Sequence, residues 1–175
     1  MREIDGVWHV ALIEPQKSAA EEKEALKGEA ASKSRRVHKA VLCLPKGLVD
    51  AGEKAEAAAV REVLEETGVI AEAITKLVDI KYVYVRTWGD GERVFKIVGF
   101  YLMKYVSGEI GAIAPEMRIE VKRAAWVPVE GAQKEMAYGG ERKVMALAQQ
   151  HLAEYGLHAK EVPAKVKSPR KRPAD

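Results

Sequence analysis

Glu62, Glu65 and Glu66 stand at i, i+3 and i+4, a spacing that stacks three carboxylates on one face of an α-helix, about one turn deep. Clustered hard oxygen ligands are what Mg²⁺ or Mn²⁺ takes, usually with substrate phosphates completing the shell. A purely structural helix avoids such a cluster, because like charges at i, i+4 destabilise it by roughly 0.2–0.5 kcal/mol per pair. Local rules are broken most often at functional sites. Taken alone, the triplet still reads first as a solvated acidic face with Arg61 paired to Glu65.

The elements around it have to hold these side chains in place. From Lys54 to Thr67 nearly every residue is a good helix former, and Gly68 follows where a helix end favours a left-handed residue. Val60 and Leu64 are expected to pack this helix against a sheet, with Ala58, Val63 and Thr67 elsewhere on the wheel. Ahead of it, residues 39–44 read as a short strand, and Pro45-Lys46-Gly47 turns the chain into the helix segment. Residues 6–13 (GVWHVALI) are apolar and β-prone, and Asp5-Gly6 is a hairpin-turn signal. Only Met1 to Ile4 precede that turn. The sheet is therefore shortened at this edge, or completed by a neighbouring chain in a homodimer, or the sequence as written begins late.

After the helix, residues 77–86 and 93–105 flank Trp88-Gly89-Asp90-Gly91 in a β-hairpin pattern. Tyr82 and Tyr84 share one strand face, where cross-strand packing is the ordinary role and stacking on a base or sugar the functional one. Residues 107–117 read as a loop and 121–129 as a final strand ending at Pro128. From Gly131 the chain turns helical, with Val144, Leu147, Ala148 and Leu152 recurring at helical spacing.

With 175 residues, 47% of them hydrophobic, the chain suits one domain with a developed core. We expect that domain over residues 1–157. It carries a polar insertion at 14–37, a mobile surface excursion or a lid over the substrate, whose end (Arg35, Arg36, His38, Lys39) is solvated or meets phosphates. Residues 158–175 are proline-broken and basic, and we expect a disordered tail. The net charge of +3 sits largely in that tail, so the near-neutral folded part argues against a nucleic-acid footprint except through the tail. The single cysteine, Cys43, excludes an internal disulfide and reads as a small buried hydrophobe. Neither a signal peptide nor a long apolar stretch is present, which leads us to expect a soluble, cytoplasmic protein with no membrane contact.

Residues 47–69 match G-x5-E-x7-R-E-U-x-E-E-x-G-U, with U aliphatic, at every fixed position: Gly47, Glu53, Arg61, Glu62, Val63, Glu65, Glu66, Gly68 and Val69. This segment resembles the Nudix box, the signature of hydrolases that cut a diphosphate linked to another moiety. The preceding Leu44-Pro45-Lys46 extends the likeness. The resemblance implies a Nudix-type α/β/α sandwich with a mixed β-sheet. It also implies that Glu62, Glu65 and Glu66, with the Gly47 carbonyl, bind Mg²⁺, or Mn²⁺ in its place. In the same scheme Arg61 orients the glutamates, Glu53 ties loop to helix, and Lys46 meets a phosphate beside the box. Glu62 is one candidate general base; Glu120, six residues before Trp126, best matches the later glutamate that competes for this role, and Glu116 is second.

The box does not say what hangs from the diphosphate. LPKG and the later YVYV, FYLM, WVP and ER stretches look most like the branch handling dinucleoside polyphosphates, with sanitising hydrolases of 8-oxo-dGTP-like nucleotides close by. ADP-ribose, diphosphoinositol phosphates and RNA caps stay open, as does a Nudix-fold nucleotide-binding regulator without turnover. Besides Lys46, the expected substrate contacts are Tyr82 and Arg86. With Arg93 and Lys96, Arg86 makes a basic cluster suited to a polyphosphate chain, or simply exposed strand charge.

Overall fold

The computed structural model describes residues 1–16, 41–85, 93–136 and 138–157. Strand β1 (Arg2–Ile4) turns back on β2 (Val7–Pro15) through Asp5 and Gly6, both at positive φ (49° and 77°). Two consecutive left-handed residues match the right-handed twist of the strands they join. The first strand therefore exists, only three residues long. The other edge of β2 pairs antiparallel with β5 (Val121–Pro128), Leu12 lying opposite Ala125. Beyond the end of β1, Cys43 exchanges two main-chain hydrogen bonds with Ile13 (2.9 and 3.0 Å), and Leu42 makes a parallel bridge to Met136. The expected strand before the box is thus reduced to these bridges within the described residues. The parallel bridge gives an otherwise antiparallel layer its mixed character.

Helix α1 (Ala55–Thr67) ends at Gly68, whose φ of 76° is left-handed and whose N–H closes on the Leu64 carbonyl at 2.8 Å. A Cβ at Gly68 would lie 2.6 Å from the Glu109 carbonyl oxygen, so glycine is required twice over. The chain then enters β3 (Val69–Val85) at once, which pairs with β4 (Arg93–Gly108) through three register shifts between Ile70 and Val78. This hairpin starts well before the expected Leu77. The main chain of Met1 bonds Met103 and Tyr105 of β4, tying the two sheets together.

After β5 the C-terminal helical segment is two helices, α2 (Val129–Glu135) and α3 (Gly139–Tyr155), because Met136 takes an extended conformation. On α3 the inward stripe is Glu141, Val144, Met145, Ala148 and His151, whereas Leu147 is 38% exposed and does not serve the core. Val10, Leu12, Leu42, Val129, Ala132, Met136 and Met145 form one apolar cluster, and Val69, Ala71 and Met103 another, against which Ala59, Val60 and Val63 of α1 pack. Strands in the middle with helices over them make an α/β/α sandwich, as the resemblance implies. Among the described residues no helix is long and apolar enough to cross a membrane.

Candidate active site

Helix α1 turns its acidic stripe inward. Ala58, Glu62 and Glu66, one turn apart, are its buried positions, together with Thr67, while Leu64 is 45% exposed. The expectation that Leu64 packs on the sheet fails for this reason. Val60 fulfils its part, and Ala59 and Val63 fill the rest of the apolar contact.

Gly47 makes room for the first glutamate. A Cβ there would stand 1.9 Å from the Glu62 carboxylate, an overlap no side chain survives without moving that group. The next turn down, the Lys46 N–H donates to Glu66 Oε2 at 2.8 Å. Burial pushes the Glu66 carboxyl up to about 7; the charges of Glu62 and Glu120 add to the rise, and the Lys46 N–H and ammonium oppose it.

Arg61 organises the remaining acids. Its Nε and Nη2 hold Glu53 by both oxygens (3.1 and 3.0 Å), Nη1 reaches Glu62 Oε1 and Glu65 Oε2 (3.0 Å each), and Nη2 also takes the Leu48 carbonyl (2.9 Å). Only a planar fork of five donors can serve this many acceptors. The Glu53 carboxyl is held below its usual range by Arg61 first and by the Asp50 N–H second. Glu62, Glu65 and Glu66 therefore each spend one oxygen on protein donors. Glu62 Oε2, Glu65 Oε1 and Glu66 Oε1 have no hydrogen-bond partner among the described residues.

Those three oxygens and the Gly47 carbonyl are donors of the kind Mg²⁺ takes. As placed, the side chains do not close round one point: among the described residues no three acidic or histidine groups converge into a cage. The donor types fit a divalent ion, which could be held only if the free oxygens were drawn together.

Other expected site residues fall differently. Glu120 follows a short 3-10 turn (Pro115–Ile119), is exposed, and acts on Glu66 through its charge. The Lys46 ammonium lies 3.4 Å from Glu141 Oε1, the same distance from the Leu44 carbonyl, and 5.8 Å from the centre of the Tyr138 ring. Burial works against that charge, but Glu141 and Cys43 more than offset it, and the lysine pKa is raised. Cys43 is buried as expected, and burial raises its thiol pKa. Tyr82 is half-buried, its hydroxyl 3.3 Å from where a Cβ on Gly140 would stand, and desolvation raises its pKa. In the β3–β4 register Lys96 faces the same side as Tyr82, whereas Arg93, opposite Val85, faces the other side. These two cations do not form the expected cluster. Glu14 and Pro15, expected to open the insertion, instead end β2 in register with β5; Arg86, residues 17–37 of the insertion with the basic residues that close it, and the tail lie outside the described residues.

Glu141 was not singled out as a site residue, although it is fully buried beside the Leu44–Lys46 turn and accepts the Leu44 N–H at 2.9 Å. A signal existed: it stands at i, i+3, i+4 and i+7 with Val144, Met145 and Ala148, in phase with the apolar stripe. A cavity of about 100 Å³ also opens near this turn, with Pro45, Ala59, Val63, Tyr101, Tyr105 and Trp126 in its wall. Among the described residues no charged side chain lines it, and the Met1 α-amino group, which belongs to a lining residue, is bonded to the Met103 carbonyl.

A model of the NUDIX domain matches residues 21–148. The chain is 36% identical over 132 residues to a Mycobacterium tuberculosis protein carrying the name mutator protein MutT4, the match covering 74% of this chain and 50% of that protein. It is 31% identical over 102 residues to the 8-oxo-(d)GTP phosphatase of Mycolicibacterium smegmatis, covering 58% of this chain and 28% of the relative. The chain thus spans half or less of the length of these curated relatives. Among solved structures, that of a C. elegans Ap4A hydrolase binary complex matches with a TM-score of 0.58 at 20% identity, covering 88% of this chain and 93% of that one. At that identity the likeness is one of fold.

Proposed function

This chain belongs to the Nudix family, and from that membership we propose that it hydrolyses a phosphoanhydride bond in a nucleotide-linked diphosphate with the help of Mg²⁺ or Mn²⁺. The observation that carries the proposal is the set of three glutamates, each fixed through one oxygen by Arg61 or the Lys46 N–H and each keeping its other oxygen without a hydrogen-bond partner among the described residues. Glu62, Glu65, Glu66 and the Gly47 carbonyl would hold the divalent ion, which would supply charge neutralisation of the diphosphate and a lowered pKa for the attacking water. Gly47 leaves space for Glu62, Arg61 fixes the spacing of Glu62 and Glu65, and Lys46 presents Glu66 through its main chain. Glu62 or Glu120 takes the proton of the attacking water; Glu120 is exposed to solvent and its charge reaches Glu66. Tyr82 and Arg86 are proposed contacts to the nucleoside and phosphates, with the Lys46 ammonium released from Glu141 when phosphate binds.

For the substrate we place 8-oxo-dGTP-like nucleotides ahead of dinucleoside polyphosphates. The relatives above 30% identity carry mutator and 8-oxo-(d)GTP names, whereas the Ap4A hydrolase supports the fold alone. The LPKG entry keeps dinucleoside polyphosphates as the second reading. Both are tested by following phosphate products with Mg²⁺ over 8-oxo-dGTP, dGTP, diadenosine polyphosphates and ADP-ribose, with Glu66→Gln as control. Turnover of one class that disappears in the variant supports the proposal. Metal-dependent binding of a nucleotide without turnover of any would sink it in favour of a regulatory module.

A further inference from the structure

Beyond pairing with the Lys46 ammonium, the carboxylate of Glu141 has no role in the reaction described above. It sits in the first turn of α3 and is 0% exposed. An acidic residue at the third helical position ordinarily reaches back to cap its own helix; here no side chain caps the start of α3. Instead Oε2 accepts the Leu44 N–H at 2.9 Å across a separation of 97 residues, and Oε1 is ion-paired to the Lys46 ammonium at 3.4 Å. Burying a carboxylate is strongly unfavourable unless it is paired and hydrogen-bonded, so a buried glutamate here holds its partners as much as they hold it.

Those partners bracket the turn that makes the site. Leu44 and Lys46 are clamped from the α3 side, and from the α1 side the Lys46 N–H is bonded to Glu66 Oε2 at 2.8 Å. Gly47, the next residue, lies against the Glu62 carboxylate. Resting on the function proposed above, we propose that Glu141 is a positioning residue for the metal-binding carboxylates: it fixes residues 44–46 so that Glu66 is presented to the ion. It acts through the turn and touches neither metal nor substrate. Removing its acceptor leaves the Leu44 N–H unheld and lets the Lys46 N–H drift from Glu66.

The test is binding of Mn²⁺ alone to the full chain, read from the free-ion EPR signal at a temperature where each variant is folded by near-UV circular dichroism. Glu141→Leu, which lacks an acceptor, is expected to weaken Mn²⁺ binding about tenfold. Glu141→Gln, which still accepts the Leu44 N–H, should stay within about threefold of the parent. Ala148→Gly loosens the same helix without touching the turn and should bind as the parent does. If Glu141→Leu does not fold, Glu141→Met with Lys46→Met takes its place, since exchanging a buried ion pair for apolar groups is commonly tolerated; the same tenfold loss is expected. Parent-like Mn²⁺ binding in the acceptor-free variant overturns the inference, as does an equal loss in Ala148→Gly. If the parent chain itself binds no Mn²⁺, the proposed function fails first, and that outcome is distinct from a parent that binds and a variant that binds equally.

Discussion

Replacing Glu66 by Gln separates what this carboxylate does for binding from what it costs in stability. Glu66 is 5% exposed, and its pKa rises from 4.5 to about 7 on folding, chiefly through desolvation. With the folded value above the unfolded one, the native state keeps its proton while the unfolded state has lost it. Stability therefore falls as pH rises from about 4.5 to about 7 and levels off above. At 1.36 kcal/mol per unit, the shift amounts to about 3 kcal/mol at pH 8 and only about 0.8 kcal/mol at pH 5. Gln carries the neutral form at every pH and still accepts the Lys46 N–H. In EDTA, urea unfolding should find Glu66→Gln more stable than the parent by about 3 kcal/mol at pH 8, with the gap closing to under about 1 kcal/mol at pH 5. Adding Mg²⁺ at pH 8 should raise the midpoint of the parent and leave the variant where it was. A gap of equal size at both pH values, or a parent more stable than the variant at pH 8 in EDTA, refutes the assignment of a desolvated carboxylate at this position.

The other tests address the groups around it. Gly47→Ala places a Cβ 1.9 Å from the Glu62 carboxylate; a displacement on that scale should lower kcat by about 10² or more, with far-UV circular dichroism unchanged. Arg61→Lys cannot hold both oxygens of Glu53 while reaching Glu62, Glu65 and the Leu48 carbonyl, and a Mg²⁺ titration of activity should show about 10- to 100-fold weaker metal dependence. The inward rotation of α1 is checked by a pair of substitutions: Leu64→Gln should change unfolding free energy by under about 0.5 kcal/mol, and Val63→Ala should cost about 1–2 kcal/mol.

Helix α1, its left-handed Gly68 stop and the hairpin turn at Asp5-Gly6 follow from spacing along a few residues, so they are legible in the sequence. The grouping of Glu62, Glu65 and Glu66 is of the same kind, because helical periodicity alone decides which residues share a face. Periodicity does not decide which way that face turns. The spacing predicts Val60 and Leu64 as packing residues; Val60 does pack, but the fold turns Glu62 and Glu66 inward and leaves Leu64 exposed, because the bare Cα of Gly47 leaves room for one carboxylate and the Lys46 N–H offers a partner to the other. The full length of β3 is not legible in the sequence, because its first half, Ala- and Thr-containing and interrupted by register shifts, lacks a clean period of two.

Lys46 shows the same division. Its place in a turn beside the acidic helix is written in LPKG, but its charge partner, Glu141, comes from the far end of the chain. Sequence alone determined the family signature, the acidic triplet and the arginine that serves it, since each rests on local spacing or local turn chemistry. Tertiary structure alone decided which oxygens stay free, which carboxyl is desolvated enough to hold a proton near neutrality, and what holds the turn against α1. Those properties depend on burial and on contacts between residues remote in sequence, which no local pattern encodes.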